Sequence, residues 1–228
     1  MNKSKNRFRK LIYLIVVVLF IGGSLIPAYC REEPGKMPSF SGGAGTPEDP
    51  YLISTAEDLL AFSEVGWNAG YMEASYKLTG NIDMGENTWN PVGVSGPPFS
   101  GTFDGNGKTI TLRNIADSRN MGLFGGTDRR SSIKNLTVSG QISKAISSEE
   151  EACFGLIAAW AEGSIENCIT EGSVDLSVNV PRNFYFGGAA GRLLGRIDSM
   201  INKADLTIKI SGGDRLYMGG ITGDAMGK

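Results

Sequence analysis

Three carboxylates, Asp83, Glu86 and Asp104, are the side chains of this chain best suited to acid–base chemistry. A pair of carboxylates can cleave a polysaccharide, with one group acting as general acid and the other as base or nucleophile. Asp104, however, begins an Asp-Gly-Asn-Gly run that is typical of a tight turn, because Asp and Asn accept local backbone hydrogen bonds and glycine allows positive φ. The sequence favours the turn, and a polysaccharide-active enzyme stays as an alternative.

The chain of 228 residues contains no histidine. This rules out the His-Glu-x-x-His helix of zinc peptidases and the Ser-His-Asp and Cys-His arrangements of nucleophilic catalysis. The Gly-rich run from Gly101 to Lys108 lacks the spacing of a phosphate-binding loop and precedes a strand pattern instead of a helix. The oxygens of Asp104 and Asn106 are too few for a calcium site. We therefore expect no catalytic residues, no metal site and no cofactor.

Aromatic side chains offer a second kind of chemistry, because several rings on one face of a protein can stack on sugars. Packing in the core and in a cap is the favoured interpretation, and sugar stacking stays open. The candidates are Trp67, Trp89, Trp160, Tyr51, Tyr71, Tyr76, Tyr185 and Tyr217.

The first thirty residues have the composition of an export signal. Five basic residues precede an unbroken apolar run from Leu11 to Ile21. Residues 1–30 are therefore predicted to be a signal peptide, or an N-terminal membrane anchor through residues 11–28 if they are not cleaved. Without this segment, 17 basic residues face 24 acidic ones, for a net charge of −7. Such a charge disfavours nucleic acid and anionic lipid as partners.

The elements that position these side chains begin after a linker. Residues 31–49 are rich in Pro, Gly and Ser, which is typical of a linker. Ser54 and Thr55 then precede acidic residues and an apolar pattern at helical spacing, which predicts one amphipathic helix over residues 55–69. Beyond it the apolar residues come in short alternating pieces, which predict strands.

Two short blocks repeat at a nearly constant interval. Around Ile133, Ile165 and Ile197, related pentapeptides recur every 32 residues. The second block consists of tetrapeptides related to Gly-Leu-Phe-Gly, at offsets of 33, 33 and 32 residues, and they begin at Gly122, Gly155, Gly188 and Gly220. Two blocks in register over several periods indicate stacked supersecondary units.

Many glycines and β-forming residues within this period predict an all-β fold, a β-solenoid of repeats of about 32 residues with a short N-terminal capping helix. Equivalent strands of successive coils would pair, so that Ile133, Ile165 and Ile197 form one inward ladder. The glycines would mark positive φ or close backbone approach, so Gly125→Val is expected to distort a turn and not a site. The glycosylation sequon at Asn135 is interpreted as a stacked strand position.

Two cysteines, Cys153 and Cys168, lie within the repeats. Export permits a disulfide between them. Their repeat positions favour two small core residues, since Cys168 shares its phase with Leu136 and Met200. Both interpretations stay open.

The ends of a solenoid need protection, because exposed strand edges recruit other chains. The helix suits an amino-terminal cap, and we divide the folded part into a cap with first coils over residues 50–115 and repeats over residues 116–228. The pattern stops after Gly220 without a capping element. We expect a fragment, a truncated product, or a chain that caps itself by self-association.

The repeats resemble those of bacterial surface proteins that carry the GLUG motif. The resemblance implies right-handed parallel β-helix coils, as in secreted adhesin-like proteins and in accessory regions of metallopeptidases that cleave immunoglobulin A1. It does not imply peptidase activity, because the zinc-binding histidines are missing. It covers roughly residues 43–228 and rests on Gly122-Leu123-Phe124-Gly125 with its relatives, and on residues 43–53, 78–84, 89–93 and 99–110.

Together these features predict a non-catalytic exported surface scaffold or adhesin-like binding module, secreted or held at the cell surface. Its expected partner is a surface protein or glycan of a host or neighbouring cell. No nucleic acid is expected, and the membrane is contacted only through the N-terminal segment. The alternatives are a polysaccharide-active β-helix enzyme and a fragment of the accessory region of a larger surface protein.

Overall fold

The computed structural model describes residues 39–66, 68–180 and 182–226. The signal peptide or anchor predicted over residues 1–30, the first part of the predicted linker, and Trp67 therefore lie outside the described residues. Within the described ranges, no helix combines the length and the apolar character needed to span a bilayer.

The described residues form two helices and a long series of short strands. The helices are α1 (Ala56–Glu64) and α2 (Ala69–Met72). The strands are β1 (Tyr51–Ile53), β2 (Ser75–Leu78), β3 (Ile82–Asp83), β4 (Thr88–Trp89), β5 (Thr102–Leu112), β6 (Asn114–Ile115), β7 (Asn120–Met121), β8 (Phe124–Gly126), β9 (Ser132–Ser147), β10 (Ala152–Gly155), β11 (Ala158–Ala161), β12 (Ser164–Glu166), β13 (Ile169–Asn179), β14 (Phe184–Gly187), β15 (Ala190–Leu193), β16 (Arg196–Asp198), β17 (Ile201–Asn202), β18 (Asp205–Ile210), β19 (Leu216–Gly219) and β20 (Thr222–Ala225).

These strands stack in parallel sheets that run along the molecule. The first sheet holds ten strands, among them β5, β9, β13 and β18, while the second is formed by β7, β10, β14 and β19 and the third by β8, β11, β15 and β20. The chain passes from one sheet to the next and returns one coil further on, since the pairing strands are parallel. The fold is a parallel β-solenoid of about four turns, as the repeats predicted.

Like residues stack inside the solenoid. Ile133 pairs with Ile165 and Ile165 with Ile197, which confirms the predicted ladder. The ladder extends towards the amino end through Phe103 and Tyr76. All but Ile197 are at most 1% exposed, so the coils share one continuous apolar core.

The repeat register differs from the sequence alignment by one residue. Gly155 pairs with Gly187, and Gly187 with Gly219, so both intervals are 32 residues. The predicted equivalence of Gly155 with Gly188, at an offset of 33, was therefore wrong. Backbone hydrogen bonding decided the register, because Gly187 and Gly188 are indistinguishable in the sequence pattern.

Close backbone approach explains the glycine at Gly155. A Cβ atom there would lie 2.4 Å from the carbonyl oxygen of Ala158 and 2.6 Å from the Cα atom of Ala190, in the next coil. Neither Gly155 nor Gly125 has positive φ. At Gly125 a Cβ atom would meet Cγ2 of Val94 at 2.0 Å, so Gly125→Val is expected to displace a neighbouring side chain.

Positive φ occurs instead in the pentapeptide block. Asn135 and Asn167 have φ values of 54° and 51°. Asn135 lies within strand β9 and stacks on the neighbouring coils, as predicted, but its backbone is left-handed at this point. The amides of the two asparagines form a ladder along the solenoid: Asn167 Nδ2 donates to Asn135 Oδ1 at 2.9 Å, and Asn135 Nδ2 donates to Asp104 Oδ1 at 3.0 Å. Asparagine suits this position because it tolerates the left-handed region better than other residues that carry a Cβ.

Helix α1 caps the amino end of the solenoid. Thr55 and Asp58 form a reciprocal capping box, which explains where the helix begins. Leu59 and Phe62 are 0% exposed and close the end of the core. The helix ends at Glu64, earlier than the predicted residue 69, and α2 follows as a separate short helix.

The predicted linker is part of this cap from Phe40 onward. The ring centroid of Phe40 lies 4.7 Å from that of Tyr51. Ser41 Oγ donates to the buried carboxylate of Asp58 at 2.7 Å, and the Ser41 amide donates to the carbonyl of Leu52 at 3.0 Å. Glycine and proline in this segment form turns that pack on the cap. The linker prediction was therefore wrong over residues 40–49, because the same composition occurs in linkers and in ordered turns.

Candidate binding groove

Two columns of side chains face outward along neighbouring sheets. In the second sheet, Cys153 pairs with Tyr185 and Tyr185 with Tyr217. In the third sheet, Trp160 pairs with Arg192 and Arg192 with Asp224. Cys153 and Tyr185 form a cluster of buried residues with Ala159 that is separate from the main core. The columns therefore pack together outside the solenoid.

Arg192 joins the two columns. Its guanidinium carbon lies 4.3 Å from the ring centroid of Trp160 and 4.5 Å from that of Tyr185. Tyr185 in turn stacks on Tyr217, with centroids 4.7 Å apart and ring planes at 12°. These contacts join side chains of two neighbouring sheets into one cluster. We call the surface formed by Trp160, Tyr185, Arg192 and Tyr217 the aromatic–arginine groove.

Carboxylates flank the groove. Arg192 Nη1 lies 3.7 Å from Glu151 Oε1, and Arg192 Nε lies 3.5 Å from Asp224 Oδ2. The arginine side chain is only 13% exposed, and Nε is buried without a hydrogen bond to any described residue. The contact to Asp224 is thus an ion pair without hydrogen-bond geometry. The groove and the carboxylates that flank it thus carry one positive and two negative charges.

Burial shapes the titration of the groove. Burial raises the pKa of Tyr185, and Arg192 opposes this shift. Burial, and to a smaller extent Glu151, raises the pKa of the Cys153 thiol to about 12. The thiol at the base of the groove is therefore protonated at neutral pH and is a poor nucleophile there.

A charged pocket adjoins the groove. Glu151, which flanks the groove, also lines this pocket, and Asn183 Nδ2 donates from the pocket wall to the Tyr185 hydroxyl at 3.3 Å. The pocket has a volume of about 980 Å³ and is lined by Arg119, Glu149, Glu150, Glu151, Arg182, Asn183 and Asp214. Groove and pocket together form one outward surface with aromatic and polar parts.

The three acids singled out in the sequence serve other contacts. Asp83 accepts two hydrogen bonds from Arg113, at 3.2 and 2.6 Å, and one from the Gly85 amide. These bonds, with that of Arg113 foremost, hold the pKa of Asp83 below its ordinary value. Asp104 accepts from the Asn106 amide at 2.8 Å, the local hydrogen bond that the turn prediction implied, and from Asn135 in the next coil. The run lies within strand β5, where it forms a bulge and not a turn between strands. Glu86 is exposed, and its charge acts on Arg113.

The aromatic candidates divide into three groups. Trp89 is fully buried and donates to the carbonyls of Gly122 and Leu123 at 3.2 and 3.0 Å, so it is a core residue. Tyr51, Tyr71 and Tyr76 pack around Phe40 in the cap, as the packing interpretation predicted. Of the remaining rings, Tyr185 is buried beside Arg192, whereas Trp160 and Tyr217 are partly exposed and are the rings available for stacking with a ligand.

Both cysteines are free and buried. Cys168 lies in the main core, as predicted, and burial raises the pKa of its thiol to about 11. Cys153 lies instead at the base of the groove. Within the described ranges, no group of three or more His, Cys, Asp or Glu side chains is placed to hold a metal ion.

Sequence reasoning missed Arg192. The signal that would have found it is the interval of 32 residues that separates Trp160, Arg192 and Asp224, the same interval that separates Cys153, Tyr185 and Tyr217. A period alone does not show which stacked columns face outward or which two columns meet.

Fold and groove define a parallel β-solenoid with an outward-facing aromatic surface. No family model matches the chain. Halomucin from Haloquadratum walsbyi is 31% identical over 125 residues, which is 52% of this chain and 1% of halomucin. A chain named as a Gly-rich membrane protein from Evansella cellulosilytica is 34% identical over 106 residues, which is 44% of this chain and 12% of the relative. The chain thus spans a small part of each relative.

A solved structure shares the fold. It is named as an immunoglobulin A1 protease from Bacteroides ovatus, with a TM-score of 0.50, 22% sequence identity, and coverage of 82% of this chain and 65% of that chain. At this identity the likeness concerns the fold alone.

Proposed function

We propose that this protein is a non-catalytic binding module, secreted or displayed at the cell surface, which takes a glycan chain along the aromatic–arginine groove. The observation that carries the proposal is the cluster of Trp160, Tyr185, Arg192 and Tyr217 outside the main core, in which Trp160 and Tyr217 stay partly exposed. The similarity to a relative named as a membrane protein supports a place at the surface.

The chemistry of the groove suits a sugar. Trp160 and Tyr217 are partly exposed, so the apolar face of a pyranose can stack on them. The carboxylate of Glu151, whose side chain is 43% exposed, can accept hydrogen bonds from sugar hydroxyls. A neutral glycan fits better than an acidic one, because the two carboxylates outnumber Arg192.

Binding without catalysis is part of the proposal. Asp83 is held ionised by Arg113 and is therefore a poor general acid. Asp104 is engaged in the bulge of β5 and in the asparagine ladder. Carboxylates with these contacts are better explained as structural groups than as a catalytic pair.

A glycan and extracellular-matrix array on the purified protein tests the proposal, together with a reducing-end assay on the same polysaccharides. We expect selective glycan binding without new reducing ends. Trp160→Ala and Tyr217→Ala should each weaken binding by roughly tenfold, the loss expected from removing one stacked ring. Val94→Ala, at an exposed side chain outside the groove, is the matched control.

Two results would contradict the proposal. Glycan binding that both groove variants retain would place the ligand elsewhere. Release of reducing ends that Asp104→Asn abolishes would make the protein a polysaccharide-active enzyme.

A further inference from the structure

Exposed apolar side chains are concentrated at one end of the solenoid. Among the described residues, seven large hydrophobic side chains are exposed, and six of them lie between residues 201 and 226. These six are Ile201, Ile210, Leu216, Met218, Ile221 and Met226. An apolar patch confined to one end marks an interaction surface.

The patch arises because inward-facing side chains of the last described coil are covered by a neighbouring coil on one side only. Phe184 and Phe186 are 1% exposed, whereas their partners Leu216 and Met218 are 42% and 50% exposed. On the first sheet, the outer edge of β18 likewise pairs with no described strand, since β18 pairs with β13 alone. The end therefore offers both apolar side chains and free backbone groups.

The amino end offers no such surface. The Leu52 amide donates to the Gly42 carbonyl at 2.8 Å, and the Leu52 carbonyl accepts from the Ser41 amide at 3.0 Å. Helix α1 covers the core behind this strand with Leu59 and Phe62. A second copy that pairs with β18 would therefore do so from its own carboxy-terminal coil, and pairing with its own β18 makes the contact two-fold symmetric.

The sequence of β18 is self-complementary in one antiparallel register. Leu206 and Ile208 pack against the core, so Asp205, Thr207 and Lys209 face outward. In an antiparallel pair, residues directly opposite each other lie on the same face of the sheet. Inward-facing residues of the two copies are therefore opposite each other only if the centre of the pairing falls on a residue and not between two residues. Centred on Thr207, each Asp205 lies opposite Lys209 of the second copy, and Leu206 lies opposite Ile208.

Neighbouring registers lack this match. A register centred on Leu206 would place Lys203 opposite Lys209 of the second copy, which are like charges. A register centred on Ile208 would place Asp205 opposite Ser211. Opposite charges across an antiparallel pair are stabilising and like charges are destabilising.

We infer that two copies of this chain associate tail to tail through antiparallel pairing of β18 centred on Thr207. The two Asp205–Lys209 pairs set the register, and the contact shields Ile210, Leu216 and Met218 from water. The inference is independent of the groove and of its ligand.

Sedimentation velocity on the full chain tests this contact by exchange of charges. The unchanged chain should be dimeric. Asp205→Lys alone and Lys209→Asp alone should each weaken the dimer by roughly tenfold or more, because both cross-strand pairs become like charges. The double variant Asp205→Lys/Lys209→Asp should regain the dimer, and an equimolar mixture of the two single variants should form a heterodimer.

Lys203→Asp is the matched control, because in the proposed register it lies opposite Ser211 and should leave the dimer intact. Circular dichroism checks that every variant keeps its strands. A monomeric unchanged chain would overturn the inference. A dimer that persists in both single variants would also overturn the inference and would indicate association through residues 11–28.

Discussion

Single residues illustrate how far composition can be trusted. The sequence drew attention to Asp83, Glu86 and Asp104 as acids, but in the structure Asp83 pairs with Arg113 and Asp104 accepts a local hydrogen bond in the bulge of β5. The local hydrogen bond of Asp104 was predictable from its neighbours, since Asp and Asn beside glycine form such bonds. The partner of Asp83 was not, because Arg113 lies 30 residues further along the chain.

The acid titration of Asp83 follows from this pairing. Its folded pKa lies below the ordinary value because Arg113 and the Gly85 amide bond the ionised form. The stabilisation is therefore present above the unfolded pKa of about 3.9 and is lost as pH falls through the folded pKa. Carboxyl-detected NMR should show Asp83 titrating at lower pH than a free aspartate, with Arg113→Ala raising the pKa. A pKa unchanged by Arg113→Ala would show that the pair does not form in solution.

Among the elements, the tight connections between sheets depend on the coil that lies next to them. Gly188 and Gly220 occupy equivalent positions, 32 residues apart. A Cβ atom at Gly188 would lie 2.3 Å from the Gly220 carbonyl oxygen and 2.7 Å from Cγ of Asn202, whereas at Gly220 no atom lies within 4 Å. At this repeat position, glycine is thus required in the coil of Gly188, whereas the coil of Gly220 has space for a larger residue.

This difference predicts a contrast between two alanine variants. Gly188→Ala should lower the free energy of unfolding by about 1–3 kcal/mol, because the backbone of the next coil must move. Gly220→Ala should change it by no more than about 0.5 kcal/mol. Urea unfolding of both variants measures the contrast, and equal losses would show that glycine is needed there for its backbone conformation.

For the whole molecule, each coil is stabilised by its neighbours on both sides. Ile165 lies between the coils of Ile133 and Ile197 and is 1% exposed, whereas Ile197 lies in the last described coil and is only partly buried. Stability in such a stack is the sum of each coil and its contacts with neighbours.

Identical substitutions should therefore cost different amounts along one ladder. Ile165→Ala should lower the free energy of unfolding by about 3 kcal/mol, because a filled core position becomes a cavity. Ile197→Ala should cost less than about half as much, because the lost side chain was partly hydrated. Equilibrium unfolding in urea, at a protein concentration where the chain is monomeric, checks the ratio. Equal costs would mean that the last coil is as well packed as the central ones.

The sequence by itself determined the class of fold. A hydrophobic ladder such as Ile133, Ile165 and Ile197 is visible because equivalent residues of a solenoid stack at the repeat interval. Absence of histidine likewise needed no structure to exclude His-based catalysis. The helix start at Thr55 was also local, since capping requires only nearby residues.

Only the tertiary structure decided the register, the cap and the groove. The one-residue choice between Gly187 and Gly188 depends on hydrogen bonds to another coil. The groove depends on contacts between two sheets, where Arg192 lies over Trp160 and Tyr185. A repeat period specifies which residues stack along the axis, but not the angle between neighbouring sheets. The packing of the two neighbouring sheets brings the aromatic rings and the guanidinium together.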